Sequence, residues 1–467
     1  MAKNPEETTP RNRQRARPAL LNRRDFLGLG AAATLGMFGQ RLALALPGVT
    51  LPESPGYGPL QPALDLATGL HLIDLPEGFS YISFGWTGEL MADGEPTPAR
   101  HDGMGVALEQ DGTLILLRNH EIWNETRSFV ASSLTYDKYA GGGVTRLRFD
   151  ARQGAWLGAE AALGGTMTNC AGGTTPWGSW LSCEEDLSSP GRGSKLRRNH
   201  GYVFEVDALG QTSAEPIKEM GRFLHEACAV DPESGYVYMT EDNDTSGFYR
   251  YLPDTPGKLH AGGLLQMLKV GDRKGLRTEE QAPGNSFDVE WVSIRKPDTA
   301  HQQGTRNNMG VFMQGYRQGG AVFRRGEGCI HADGKILFTC TTGGRNGMGQ
   351  VWAYDLERQR IELVLESPGS EDLNHPDNLA ASPRGGLIIC EDGSRPEQQM
   401  VGMSRDGGLF PFARNKVILN GEIPIGKGDY RASEWAGACF HGNWLFANIQ
   451  VPGVTLAITG PWENGPL

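Results

Sequence analysis

The stretch Gly326-Glu327-Gly328-Cys329-Ile330-His331-Ala332-Asp333-Gly334-Lys335-Ile336-Leu337-Phe338-Thr339-Cys340-Thr341-Thr342-Gly343-Gly344 decides how the chain folds. An acid flanked by glycines leads, a short apolar run follows, Asp333-Gly334 turns the chain, and a second apolar run ends in a polar cluster. Asp-Gly between apolar runs of strand length is a hairpin signal. The same pattern recurs five more times. It runs from Asp102-Gly103-Met104 to His120-Glu121, from Asn169-Cys170-Ala171-Gly172 to Cys183-Glu184-Glu185, and from His225-Glu226-Ala227 to Glu241-Asp242. The last two copies run from Pro376-Asp377-Asn378 to Glu391-Asp392 and from Ser433-Glu434-Trp435 to Asn448. In five copies the step from leading residue to closing cluster is 14 or 15 (170 to 184, 226 to 241, 327 to 341, 377 to 391, 434 to 448), and the first copy is longer.

Further strand-like runs follow the hairpins: Val144–Phe149, Tyr202–Val206, Phe248–Leu252, then Gly349–Asp355 with Ile361–Glu366. Units of four short antiparallel strands repeated around a channel describe propeller blades. The expected fold is therefore all-β, a six-bladed β-propeller. The interval from Glu226 to Glu327 is too long for one blade, which predicts an insertion near 257–320. After Asn448 only Thr455–Thr459 remains as a strand, so the last blade lacks its outer member. The alternating segment Phe79–Trp86 is predicted to supply that strand and close the ring.

Composition agrees with a turn-rich globular body. The chain has 467 residues, 65 of them Gly, with 39% hydrophobic and 21% charged side chains. No apolar run of membrane-spanning length follows residue 45. Before it, Asn22-Arg23-Arg24-Asp25-Phe26-Leu27, an apolar segment and Ala43-Leu44-Ala45 read as a twin-arginine export signal. Residues 1–45 are thus expected to be a signal peptide handled by the twin-arginine translocation machinery, and 46–467 a single domain with no membrane anchor after cleavage. The expected location is periplasmic or secreted. The net charge of -11 would fall to about -16 on cleavage, because eight basic and only three acidic side chains precede residue 46. Basic residues cluster nowhere else, which argues against nucleic acid as a partner.

In a propeller the residues that open each first strand converge at one mouth of the channel. Here they would be Asp102, Cys170, Glu226, Glu327, Asp377 and Glu434, with Glu184, Glu185, Glu241, Asp242, Glu391 and Asp392 at the margin. So many carboxylates in a low-dielectric channel would repel and protonate unless cations neutralise them. Oxygen donors suit calcium, magnesium or manganese, and a thiolate among them points to a softer transition ion such as iron. The other six cysteines form no CxxC pair and are expected mainly as small buried residues, although an exported protein permits disulfides. Asp242-Asn243-Asp244-Thr245-Ser246-Gly247 lacks the twelfth-position Glu of an EF-hand and reads as a turn.

These motifs, in this order, resemble the PhoX-type secreted alkaline phosphatases, in a shorter form. The resemblance rests on Arg118-Asn119-His120-Glu121, Asn169-Cys170-Ala171-Gly172-Gly173, Gly221-Arg222-Phe223 with His225-Glu226-Ala227, Arg325-Gly326-Glu327-Gly328, Pro376-Asp377-Asn378-Leu379 and the terminal Ile458-Thr459-Gly460-Pro461-Trp462. It implies phosphomonoester hydrolysis, with small phosphate esters as substrates, at a cluster of ferric iron (Fe3+) and calcium (Ca2+). By the same resemblance Cys170 is the thiolate iron ligand, Glu226, Glu327 and Glu434 are metal-bridging carboxylates with Asp377 beside them, and Arg325 holds the phosphate. Two alternatives stay open on sequence: a calcium-dependent propeller hydrolase of lactones or phosphotriesters, and a non-catalytic periplasmic binding propeller.

Overall fold

The computed structural model describes residues 50–130, 132–210, 212–300 and 310–467; the expected signal peptide, residues 1–45, lies outside them. The first repeat is a four-stranded antiparallel meander of His101–Gln110, Thr113–His120, Gly142–Asp150 and Ala155–Thr166. The second has three strands, Asn169–Thr174, Ser179–Glu184 and Val203–Asp207, and where a fourth is expected the described residues show only an isolated bridge joining Phe204 to Pro216. Proline has no N–H to extend a ladder, which accounts for the stop.

The third repeat, His225–Val230, Val237–Glu241, Phe248–Pro253 and Gly263–Val270, continues into Ser286–Ser293. That extra strand pairs on its other side with Arg360–Glu366, the outer strand of the fourth repeat, so the two repeats share one nine-stranded sheet. The remaining fourth-repeat strands are Gly326–Ala332, Lys335–Cys340 and Gln350–Asp355. Within the long interval 257–320 the described structure is thus an outer strand, this linking strand, a short helix, Val311–Tyr316, and two 3-10 turns, Leu259–Ala261 and Thr278–Glu280. The fifth repeat, Pro376–Ala381, Leu387–Glu391, Gln399–Met403 and Leu409–Asn415, is extended by Ile73–Pro76 and Leu60–Ala63. The sixth has Trp435–His441, Trp444–Ile449 and Val454–Thr459, and Ser80–Phe84 lies antiparallel to the last of these, with Thr455 opposite Phe84 and Thr459 opposite Ser80. No described helix is long and apolar enough to cross a membrane.

The first strands of the repeats touch one another in a closed cycle, each meeting the next and the sixth meeting the first. The architecture is all-β and propeller-like. Its core is accordingly divided into layers between neighbouring sheets. One layer holds Phe84, Leu116, Phe149 and Phe446, another Leu337, Val351, Leu379 and Ile389. Between the third and fourth repeats Phe248 stacks on Phe338 at 4.2 Å between centroids.

Two glycines show how tightly the first strands converge. A Cβ on Gly103 would lie 2.4 Å from Ala171 Cα, and one on Gly328 would lie 2.6 Å from the Asp377 carbonyl oxygen. Each glycine follows a leading acid, so the acids are brought together because the next residue allows backbone-to-backbone contact.

Tyr81, on the strand Ser80–Phe84, is fully buried and its hydroxyl accepts a hydrogen bond from Leu72 N at 3.0 Å. It packs in the layer shared with Leu456, Ile458 and Trp462. Tyr81→Ala is expected to cost about 3–5 kcal/mol in denaturant unfolding, the range for removing a large buried aromatic side chain. A loss under 1 kcal/mol would mean that this strand contributes little to the body.

Candidate metal centre

The first strands share one irregularity. In all six the pairing with the second strand slips near the start, between His101 and Met104, Asn169 and Gly172, His225 and Cys228, Gly326 and Cys329, Pro376 and Leu379, and Ala436 and Cys439. A bulge leaves its extra residue unpaired and re-aims its side chain. The residues placed in the slip are Asp102, Cys170, Glu226, Glu327 and Asp377. The second strands end with equal regularity, and the residues just past their ends are Glu121, Glu185, Asp242, Thr341, Asp392 and Gln450.

In the sixth repeat the slip position is Gly437 rather than an acid. Its φ is 60°, and a Cβ there would lie 2.5 Å from the Asp102 carbonyl oxygen, so no side chain fits. Glu434 instead approaches from the loop before the strand, where its carboxyl meets Asp392. The 14-residue step that aligned Glu434 with the other leading acids is therefore a coincidence of a shorter hairpin. Its side chain still reaches the same place.

Among the described residues three sets bring ligand atoms within 4.8 Å of one another: Glu121 with Cys170 and Glu185, Asp102 with Glu121 and Glu434, the two sharing Glu121, and Glu226 with Glu327 and Asp377. All five residues expected as metal ligands, Cys170, Glu226, Glu327, Asp377 and Glu434, belong to these sets. Glu121, Glu185 and Asp102 join them. Glu121 was visible only as the end of the longer first copy, and the signal that finds it is its position one residue beyond a second strand, shared with Glu185, Asp242 and Asp392.

Of the acids expected at the margin, Glu184, Glu241 and Glu391 turn away. Each is the last residue of a second strand, and alternation along the strand points it into its own sheet. Glu184 accepts from Met167 N, Gly201 N and Tyr202 N and contacts His200 Nδ1 at 2.6 Å. Glu241 accepts from Gly247 N and the Tyr249 hydroxyl, and Glu391 from Asn374 N and Arg395 Nε. These three brace loops.

Electrostatics decide what the ring can hold. Burial pushes the Glu226 carboxyl well above the usual carboxylate range, and Glu327, Glu185, Asp377 and Asp102 push it further. Burial and like charges raise Glu327, Asp377, Glu185 and Glu434 in the same direction. Asp102 is pushed up to about 6 and Glu121 to about 8, chiefly by burial. The Cys170 thiol is raised by withdrawal from water and by Asp102, Glu226, Glu185 and Glu121 around it. Both carboxylate oxygens of Glu226 are buried with no hydrogen-bond partner. An ionised carboxylate in that position requires cations, and seven carboxylate side chains with one thiol fit hard ions together with a softer one.

Arg325 sits against this ring with φ 47°, a left-handed conformation for a residue with a side chain. Its Nε and Nη2 donate to the two oxygens of Asp242 at 2.8 and 2.9 Å, and Nη2 forms an ion pair with Glu327 Oε1 at 2.8 Å. A strained backbone held by buried charges is a feature of functional sites. At the opposite margin Gln450 Nε2 donates to Asp102 Oδ2 and Glu121 Oε2, while Arg100 donates to Gln450 Oε1.

A family model described as alkaline phosphatase PhoX matches residues 55–162 and 158–453 of the chain. Among solved structures, PhoX of Pseudomonas fluorescens in complex with vanadate, a transition state analogue, is similar over 89% of this chain and 99% of its own, with 17% identity and a TM-score of 0.61. A gluconolactonase of Xanthomonas campestris matches over 78% of this chain and 97% of its own, at 12% identity and a TM-score of 0.37. The WD40 β-propeller domain of Doa1 matches over 82% and 98%, at 8% identity and a TM-score of 0.38. No curated protein matches the chain.

Proposed function

Because the chain belongs to the PhoX alkaline phosphatase family, we propose that it is an exported, metal-dependent hydrolase of phosphomonoesters whose reaction centre is the ring of acids around Cys170. The observation that carries this reading is the Glu226 carboxyl, buried with both oxygens unpartnered among like charges. The framework is read as a six-bladed propeller over residues 46–467 with an insertion near 257–320, closed by Ser80–Phe84 against Val454–Thr459. The cyclic contacts of the first strands support it. Residues 1–45 are read as the twin-arginine signal that delivers the folded protein to the periplasm or beyond.

Cys170, Glu226, Glu327, Asp377 and Glu434 are assigned as holders of ferric iron and calcium, with Asp102, Glu121 and Glu185 completing the donor set. Bound there, these ions would neutralise the ester's negative charge as it grows on the phosphoryl and leaving oxygens and would make a water molecule more acidic. Arg325 is assigned the phosphoryl group. Asp242 and Glu327 fix the guanidinium plane through Nε and Nη2, which leaves Nη1 to donate to a phosphoryl oxygen. A fixed donor aimed at developing charge acts without reorganisation during the reaction.

Arg325→Ala is expected to lower kcat/KM for a generic aryl phosphate by roughly 10²–10³, the usual effect of deleting a preorganised donor. Its metals should stay, because removing a cation leaves the ring more negative. Loss of metal from this variant would make Arg325 a structural partner of Glu327 instead. Cys170→Ser should selectively lower iron content and turnover while calcium is largely kept, since a protonated hydroxyl does not replace a thiolate toward a transition metal. Full iron in that variant would remove Cys170 from the donor set. The metal-loaded protein should hydrolyse an aryl phosphate in preference to a lactone or an aryl phosphotriester, and the reverse preference would overturn the reading.

A further inference from the structure

Beneath the acid ring, Cys183 and Cys228 face each other with sulfur atoms 3.3 Å apart. Both side chains are fully buried. Cys183 lies on the second strand of the second repeat and Cys228 on the first strand of the third, so the pair spans two neighbouring sheets. The backbones are close at this point: a Cβ on Gly173 would meet the Cys228 carbonyl oxygen at 1.9 Å. The other cysteines lack this arrangement. The Cys329 thiol, the next nearest, turns to the Tyr238 carbonyl at 4.0 Å.

We propose that Cys183 and Cys228 are a redox-active pair that oxidises to a disulfide stapling the second and third repeats together. Two thiols in contact across an interface need an approach of little more than 1 Å to reach bonding distance. Access is supplied from one side: Cys228 lines a cavity of about 420 Å³ in the channel below the ring, together with Gly172, Ala229 and Cys329. Of the two, Cys228 borders this cavity and Cys183 does not, so a small oxidant such as hydrogen peroxide entering the channel would meet Cys228 first.

In the first step Cys228 Sγ attacks one peroxide oxygen and gives up its thiol proton, the O–O bond breaks, and the departing hydroxide takes up that proton as water, leaving a sulfenic acid. In the second, the Cys183 sulfur gives up its proton and attacks Cys228 Sγ, expelling the sulfenic oxygen as a second water. Two thiols are oxidised and one peroxide is reduced, with no other reactant. The staple joins strands whose upper ends carry Glu185 and Glu226, so it ties two sides of the ring without using a metal-ligand atom.

The test uses the exported, metal-loaded wild-type protein, treated with hydrogen peroxide, denatured, alkylated and mapped by mass spectrometry. The expected product is one cross-linked peptide pair carrying Cys183 and Cys228, lighter by two hydrogen atoms and separated by dithiothreitol. Its melting temperature should rise by several degrees on oxidation and return on reduction. In Cys183→Ala the rise should vanish and Cys228 should become reactive to a sulfenic-acid-specific diketone. Alkylation of both residues after oxidation, a cross-link from Cys228 to Cys329, or a disulfide without a rise in melting temperature would each overturn the proposal.

Discussion

Glu226→Gln is expected to reduce hydrolysis of an aryl phosphate by roughly 10³-fold or more and at the same time to make the metal-free protein more stable than wild type. The first effect follows from deleting a ligand charge at a centre where cations contribute several kcal/mol to catalysis. The second follows from burial. In the absence of cations Glu226 must either carry an unpaired charge among Glu327, Glu185, Asp377 and Asp102 or take up a proton that the unfolded chain does not hold. Glutamine avoids both, although its amide still lacks partners, so the net gain near pH 8 should be on the order of 1–3 kcal/mol. Chemical denaturation with chelator present checks the sign. A variant less stable than wild type in chelator would mean that Glu226 is held by the protein rather than by cations.

Chelation itself should make stability strongly dependent on pH. The ring acids have folded-state pKa values raised above their unfolded values, Asp102 to about 6 and Glu121 to about 8. The folded metal-free protein therefore binds more protons than the unfolded chain over this range, and its stability falls as pH rises. Below about pH 4 the difference vanishes, because both states are protonated. Two such groups imply a loss on the order of 5 kcal/mol between pH 5 and pH 8. The metal-loaded protein should lack this decline, because cations hold the same groups ionised in the folded state. Melting curves with and without chelator across that range provide the comparison, and parallel curves would show that the ring's protonation does not limit stability.

Much of this was legible because the repeat is written in chemistry as well as in spacing. An acid or thiol beside a small residue, a tight turn, then an acidic pair marks where strands start and stop, and Cys170, Glu226, Glu327 and Asp377 all follow from it. What escaped has local causes. The first copy is longer because its strand slips a second time between Val106 and Leu108, which hides Glu121 from a search at fixed step. Adjacent acids such as Glu184-Glu185 or Glu391-Asp392 cannot be sorted from sequence, because strand alternation sends one into the sheet and the other into the ring. Glu434 was found through a step that aligned it with residues it does not match, since Gly437 occupies their position. The strand Ser286–Ser293 was hidden in an interval rich in glycine and charge, and it becomes a strand because the open edges of two sheets flank it.

The most direct measurement is elemental analysis of the protein exported through its own signal, run beside hydrolysis of an aryl phosphate by the same sample. Iron and calcium should be present together in each active molecule, and turnover should fall in step with iron when a chelator removes it. Calcium alone, or full turnover in a sample stripped of both metals, would contradict the assignment of the acid-and-thiol ring as an iron and calcium centre.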